Sequence, residues 1–190
     1  GGHWLLARLG KRVLRPGGVG LTRTLLARAE LTGADVVELA PGLGRTATEI
    51  VARGPRSYVG AEGDPDAANL VRGVLSDLGA QNADVRVADA ADTGSPDASS
   101  DVVIGEAMLT MQGDSAKHAI VAEAARVLRP GGRYAIHELA LTPDMVSDAV
   151  STDIRQALAR SIKVNARPLT IAEWSKLLVE HGLVVDQVAT

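Results

Sequence analysis

Cysteine is absent from all 190 residues. That excludes disulfides, Cys-ligated zinc, iron–sulfur clusters and a thiolate nucleophile from this chain. Phenylalanine is absent too, and only Trp4, Trp174, Tyr58 and Tyr134 are aromatic. The core must then be aliphatic, and a platform for stacking single-stranded bases is nearly excluded. Neither sign of charge dominates: 20 Lys and Arg against 23 Asp and Glu leave a net charge of -3. No global field draws such a chain to nucleic acid or to an anionic membrane, so neither is expected as a partner. No stretch approaches the roughly 20 apolar residues of a membrane span, and no signal peptide opens the chain. A cytoplasmic address is the default expectation. The opening Gly1-Gly2-His3 lacks an initiator Met and reads as a trimmed or appended end. Four scattered histidines give no metal-ligand spacing, and no metal is expected.

What is present has the proportions of a soluble globular protein, 46% hydrophobic and 23% charged. The length suits one domain. Residues 4–14 read as an amphipathic helix stopped by Arg15-Pro16-Gly17-Gly18, and residues 21–31 as a second, with Leu21, Leu25 and Ala29 on one stripe. These helices, residues 1–34, are expected to cap an α/β unit over 35–190. Strands are expected at 35–39, 57–61, 84–88, 101–105 and 133–137, with helices at 46–53, 64–78 and 115–128 between them. Two more helices, at about 145–163 and 170–181, and a last strand at 183–188 complete the reading. Strand and helix in alternation predict a doubly wound, mostly parallel sheet. The heptapeptide Arg-Val-Leu-Arg-Pro-Gly-Gly occurs at 12–18 and again at 126–132 with different flanks, which makes it a recurring helix stop.

The sharpest motif is Glu38-Leu39-Ala40-Pro41-Gly42-Leu43-Gly44-Arg45-Thr46-Ala47. Two glycines between a strand and a helix allow a tight turn and a close approach of ligand to backbone. Glu62 ends the second strand at the offset where an acid grips ribose hydroxyls. This plan serves nicotinamide dinucleotides and S-adenosylmethionine alike, so the flanks decide. A pyrophosphate beside Glu38 would meet like charge, whereas a sulfonium-bearing zwitterion would not. Asp89 and the N–H of Ala90, after the third strand, could accept from and donate to adenine. Glu106, after the fourth strand, adds an acid to the same edge, and reads equally well as a cap of the segment that follows.

These stretches, with Val59-Gly60-Ala61-Glu62, Asp101-Val102-Val103-Ile104 and Ala125–Arg133, resemble the class I S-adenosylmethionine-dependent methyltransferases in order and spacing over about residues 35–138. The resemblance implies a Rossmann-like methyltransferase fold and transfer of a methyl group from S-adenosylmethionine to a small-molecule acceptor, with S-adenosylhomocysteine as product. It implies cofactor contacts from Glu38, Ala40, Gly42, Gly44, Glu62, Gly63, Asp89, Ala90, Glu106 and Ala107. The family's sheet ends in an antiparallel hairpin that adds a seventh strand, for which no sequence follows Val188. Without cysteine, neither a Cys-adduct route nor a radical iron–sulfur route is open. A nicotinamide-dependent oxidoreductase and a non-catalytic adenosyl-ligand domain stand as alternatives.

His137, at the end of the fifth strand, is the candidate for substrate contact or proton acceptance, since a neutral imidazole takes a proton near pH 7. A strand-end histidine bonded to backbone is the other reading. Met108 and Met111 read as packing residues, His118 and His181 as surface or packing residues, and Trp174 as the anchor of its helix. Arg8, Lys11, Arg12 and Arg15 read as a solvated helix face.

Overall fold

A computed structural model describes residues 18–162 and 166–190. The expected helix at 4–14, with its basic cluster, lies outside the described residues. Five strands, β1 (Asp35–Leu39), β2 (Ser57–Glu62), β3 (Ala83–Val87), β4 (Ser100–Glu106) and β5 (Leu128–His137), form one sheet in the order β3-β2-β1-β4-β5. Every pairing in it is parallel. Helices α1 (Gly18–Arg28), α2 (Arg45–Val51) and α3 (Pro65–Asp77) contribute to a core on one face. On the other face pack α4 (Asp114–Val127) and α6 (Ile171–Glu180). Between those two helices run β6 (Ala140–Leu141), α5 (Asp148–Ile162) and β7 (Leu169–Thr170), with β6 and β7 joined in a short parallel ladder of their own. None of the described helices is long and apolar enough to cross a membrane.

Local chemistry fixes where these elements start. Asp64 accepts from the N–H groups of Asp66 and Ala67, and Pro65 occupies the first turn, so α3 begins there. Thr170 and Glu173 close a reciprocal capping box at the head of α6. The core is aliphatic as its composition requires: Val36, Ile50, Val71 and Ile104 fill one face, Leu39, Val103, Val121 and Val127 the other. Trp174 anchors α6, only 6% exposed, and its indole N–H donates to the Leu139 carbonyl at 3.0 Å.

The structure corrects three expectations. Within α1 the buried residues are Thr22 and Leu26; of the expected stripe, Ala29 just past the helix is buried, Leu25 only partly and Leu21 not fully. A threonine is buried there because its hydroxyl finds an acceptor, as shown below. Residues 183–188 form no strand; Val184 is 90% exposed, and β5 is the edge of the described sheet. Strand propensity in Leu183-Val184-Val185 is not enough without a neighbouring ladder to pair with. Finally, β5 starts at Leu128, directly at the end of α4, and its register with β4 jumps from Ser100↔Leu128 to Val102↔Arg133. Arg129-Pro130-Gly131-Gly132 is therefore a bulge inside the strand.

A methyl group at Gly132 would lie 2.9 Å from the carbonyl oxygens of Arg129 and Asp101. Gly132→Ala should cost about 1–3 kcal/mol by overpacking against backbone that cannot yield, measured as a lowered urea midpoint.

At the amino-terminal edge of the sheet, Asp35 and Asp101 share two arginines. Asp35 accepts from Arg56, Ser57 and Arg129, and Asp101 from the Asp35 N–H, Arg129 and Arg56. The bonded Arg56 guanidinium, helped by Ser57 and Arg129, holds Asp35 well below the usual carboxylate range despite burial. The Asp35 N–H and Arg129 lower Asp101 as well. The folded state thus binds fewer protons than the unfolded chain in the acid range, and stability must fall as pH drops below about 4. Urea midpoints between pH 7 and pH 3 should show that fall, and Asp35→Asn should flatten it.

Candidate active site at the carboxyl edge of the sheet

Side chains alternate along a strand, so the register decides which groups share a face. Leu39 pairs with Ala61 and with Gly105, and Glu106 pairs with His137. One residue further on, Ala40, Glu62, Glu106 and His137 therefore stand level at the carboxyl ends of β1, β2, β4 and β5. The three polar side chains among them face the α1–α3 side. Glu38 lies on that face one pleat deeper, roughly 7 Å back along β1. The strand order reverses between β1 and β4, where open α/β sheets bind ligands.

The glycine turn fits its expected part. Gly42 and Gly44 have φ of 57° and 72°, the left-handed region that glycine enters without strain. Ala47, fully buried, lets α2 lie close to the sheet. Ala40 and Ala107 also have positive φ, 52° and 53°, although neither is glycine. They end the two strands that flank the reversal. Ala40 donates to the Ala61 carbonyl at 2.8 Å and Ala107 to the His137 carbonyl at 2.7 Å, so strained backbone is clamped on both sides of the site.

Each acid meets a different set of donors. Glu38 is 2% exposed and accepts from the Tyr58 hydroxyl at 2.6 Å. Burial and the Glu38 carboxylate push the Tyr58 phenol far up, which keeps it the donor. Glu62 accepts from the Gly42 N–H at 2.9 Å and from the Asp64 N–H at 3.1 Å, one bond to each oxygen. A carboxylate has about four acceptor positions, so about two remain for a ligand diol. Gly63, next to it, leaves its Cβ position in ordinary contact with the Ala88 carbonyl, at 3.8 Å. Past β3, Asp89 spends one oxygen on the Ala91 N–H at 2.7 Å. Neither its other oxygen nor the Ala90 N–H has a protein partner among the described residues.

Glu106 is the most heavily engaged. It accepts from the Thr22 hydroxyl of α1, from the Thr46 hydroxyl of α2 at 2.5 Å, and stands 2.9 Å from His137 Nδ1. Its alternative reading, as a cap of the following segment, does not hold. That role falls to Glu138, which turns to the opposite face and accepts from the N–H groups of Met108, Leu109 and Thr110 and from the Thr110 hydroxyl. Burial pushes the Glu138 carboxyl up against the pull of those four donors.

Sequence reading missed Thr22, Thr46, Tyr58 and Glu138 as site residues. Thr46, inside the glycine motif, carried a positional signal, and so did Glu138 as the neighbour of His137, expected on the same face but turned to the opposite one. Met108 packs as expected at 7% exposure. His118 and His181 bond each other at 3.0 Å across α4 and the end of α6. The described residues hold no cluster of potential metal ligands.

A family model described as "Methyltransferase domain" matches residues 36–132, which span β1 to the bulge in β5. This chain belongs to the methyltransferase domain family. An uncharacterized protein of Haemophilus influenzae is 34% identical over 183 residues, which cover 95% of this chain and 71% of that one. The fold is shared with the YcgJ protein of Bacillus subtilis at a TM-score of 0.71 and 18% identity, over 84% of this chain and 66% of that one. An S-adenosylmethionine-dependent methyltransferase of Mesorhizobium loti superposes with a TM-score of 0.70 at 16% identity, over 88% and 81% of the two chains. A geranyl diphosphate methyltransferase in complex with S-adenosylmethionine gives 0.69 at 19% identity, over 85% and 63%. The chain thus spans about two thirds of the Bacillus and geranyl diphosphate proteins.

In this methyltransferase domain the loop after β4 hangs on one carboxylate. Glu138→Gln keeps an acceptor but gives up charge and turns one oxygen into a donor facing N–H groups. It should cost about 1–3 kcal/mol in urea denaturation, with faster amide exchange at Leu109 and Thr110.

Proposed function

We propose that this domain transfers a methyl group from S-adenosylmethionine to a small-molecule acceptor by in-line displacement. The observation that carries the reading is the pair of acceptor sets at the ends of β2 and β3. Glu62 has two of its acceptor positions open, and Asp89 with Ala90 offers one acceptor and one donor side by side. Ribose needs the first and adenine the second. Gly42, Gly44 and Ala40 would bring backbone against the methionine part, with Gly63, Glu106 and Ala107 beside it and Glu38 beneath. This set of carboxylates fits a sulfonium-bearing zwitterion and would repel a pyrophosphate.

Bound there, S-adenosylmethionine supplies an electrophilic methyl carbon on sulfur. The protein's share of the work is to hold the acceptor at attack distance in a cleft that excludes water. Residues 1–34 and 139–169 are assigned to capping that cleft. Near the second of these segments lies a polar pocket of about 260 Å³ lined by Asp144, Ser151, Arg155 and Thr170 among others. Its size suits a small polar acceptor. The near-balanced charge of the chain and its four aromatic residues speak against a nucleic-acid acceptor.

Titration calorimetry with S-adenosylmethionine, S-adenosylhomocysteine and NAD tests the reading. Both adenosyl ligands should bind and NAD should not. Glu62→Ala should weaken the adenosyl ligands at least tenfold, about 1.4 kcal/mol. Binding of NAD in their place would move the protein to hydride transfer.

A further inference from the structure

His137 holds a buried atom with no partner. Its side chain is 8% exposed, its Nδ1 lies 2.9 Å from Glu106 Oε1, and its Nε2 is buried without any hydrogen bond. A carboxylate only accepts, and Glu106 is already accepting from Thr22 and Thr46. In the neutral ring the hydrogen must therefore sit on Nδ1, because the other tautomer would set a nitrogen lone pair against a carboxylate oxygen. That leaves the lone pair on Nε2, pointing away from Glu106, at the end of a strand in the row that carries Glu62.

A core histidine would ordinarily satisfy both nitrogens. Here one nitrogen is fixed by a carboxylate that Thr22 of α1 and Thr46 of α2 hold in place, and the other is left as a bare acceptor. The only titratable group described as bonded to the ring is Glu106. Glu138, the next residue, turns its carboxylate to Thr110 on the opposite face.

We propose that His137 is the general base of the methyl transfer, that Glu106 is the positioning residue that fixes its tautomer, and that the acceptor is consequently a neutral hydroxyl, phenolic or alcoholic. The proposal rests on the methyl-transfer reading above. In the step, the hydroxyl proton passes to Nε2 and the oxygen lone pair forms the new O–C bond. The S–C bond breaks with its electron pair staying on sulfur, and the imidazolium then releases its proton to water. An acceptor without a proton to lose, such as a tertiary amine, would need no such base.

The test uses the wild-type chain saturated with S-adenosylhomocysteine, with ¹⁵N-labelled histidine observed by NMR above the imidazole titration range. The expected result is a His137 ring protonated at Nδ1 and bare at Nε2. Glu106→Gln should mix the two tautomers, and Glu106→Asp should restore the wild-type pattern. A wild-type ring protonated at Nε2 overturns the proposal without any variant. In parallel, label from methyl-tritiated S-adenosylmethionine is followed into a panel of simple phenols and alcohols, with tertiary amines as aprotic controls. Label in the hydroxyl panel should fall at least 100-fold in His137→Gln while the Kd for S-adenosylhomocysteine stays within threefold. Label in the hydroxyl panel that is equal in wild type and His137→Gln, or label in the tertiary amines alone, overturns the proposal but leaves the methyl-transfer reading standing. Loss of S-adenosylhomocysteine binding by the wild type overturns both.

Discussion

A carboxylate taken out of water must collect hydrogen bonds, and Glu106 collects them from three elements at once. Thr22 reaches it from α1, Thr46 from α2 and His137 from β5. Two of these groups are hydroxyls and the third is an imidazole. The price is rigidity. Shifting any one of the three elements would strip a donor from a side chain that is 6% exposed, and an uncompensated buried charge costs several kcal/mol. The seat of α1, the entry of α2 behind the glycine turn and the ring plane of His137 are thereby a single arrangement.

The two ends of the sheet solve the problem of buried acids in opposite ways. At the amino edge, Asp35 and Asp101 are met by the guanidinium groups of Arg56 and Arg129, which lie partly in solvent. That network neutralises its own charge and ties the starts of β1 and β4 to the bulge of β5. At the carboxyl edge, Glu62 accepts from two backbone N–H groups and Glu38 from a phenol. Hydrogen bonds from neutral donors stabilise a carboxylate without cancelling its field, whereas arginine does both. Arginine anchoring of Asp35 and Asp101 thus falls at the amino edge, opposite the carboxyl edge where open α/β sheets bind ligands.

The alternation of strands and helices, the glycine turn and the acids at the ends of β2 and β3 were legible because each is a local pattern. Asp64-Pro65 announces α3, and Gly42-Leu43-Gly44 announces a turn, whatever the rest of the chain does. Thr22 and Tyr58 were not legible. Their roles exist only because Tyr58, paired with Val36, reaches Glu38 past the bare Gly60, and because α1 turns its threonine toward β4. Residues 183–188 failed for the complementary reason: apolar residues with strand propensity form a strand only where the chain runs alongside an edge, and where it runs is not written in the segment. Glu106 was legible as an acid at the right edge but not as the partner of a histidine 31 residues away.

Residues 137 and 138 show how alternation turns sequence neighbours into opposite tools. On the α1–α3 face, the acid of β4 holds the histidine of β5; on the other, the acid of β5 holds the loop that follows β4. The Ala107 N–H bond to the His137 carbonyl closes the gap between them. Each strand end therefore carries a group that the other one fixes. Neither Ala107, with its strained backbone, nor the imidazole can shift without dragging the other strand along. A site that must keep a reacting atom and a base within a fraction of an ångström needs this kind of mutual support. Here it comes from two carboxylates that face away from each other.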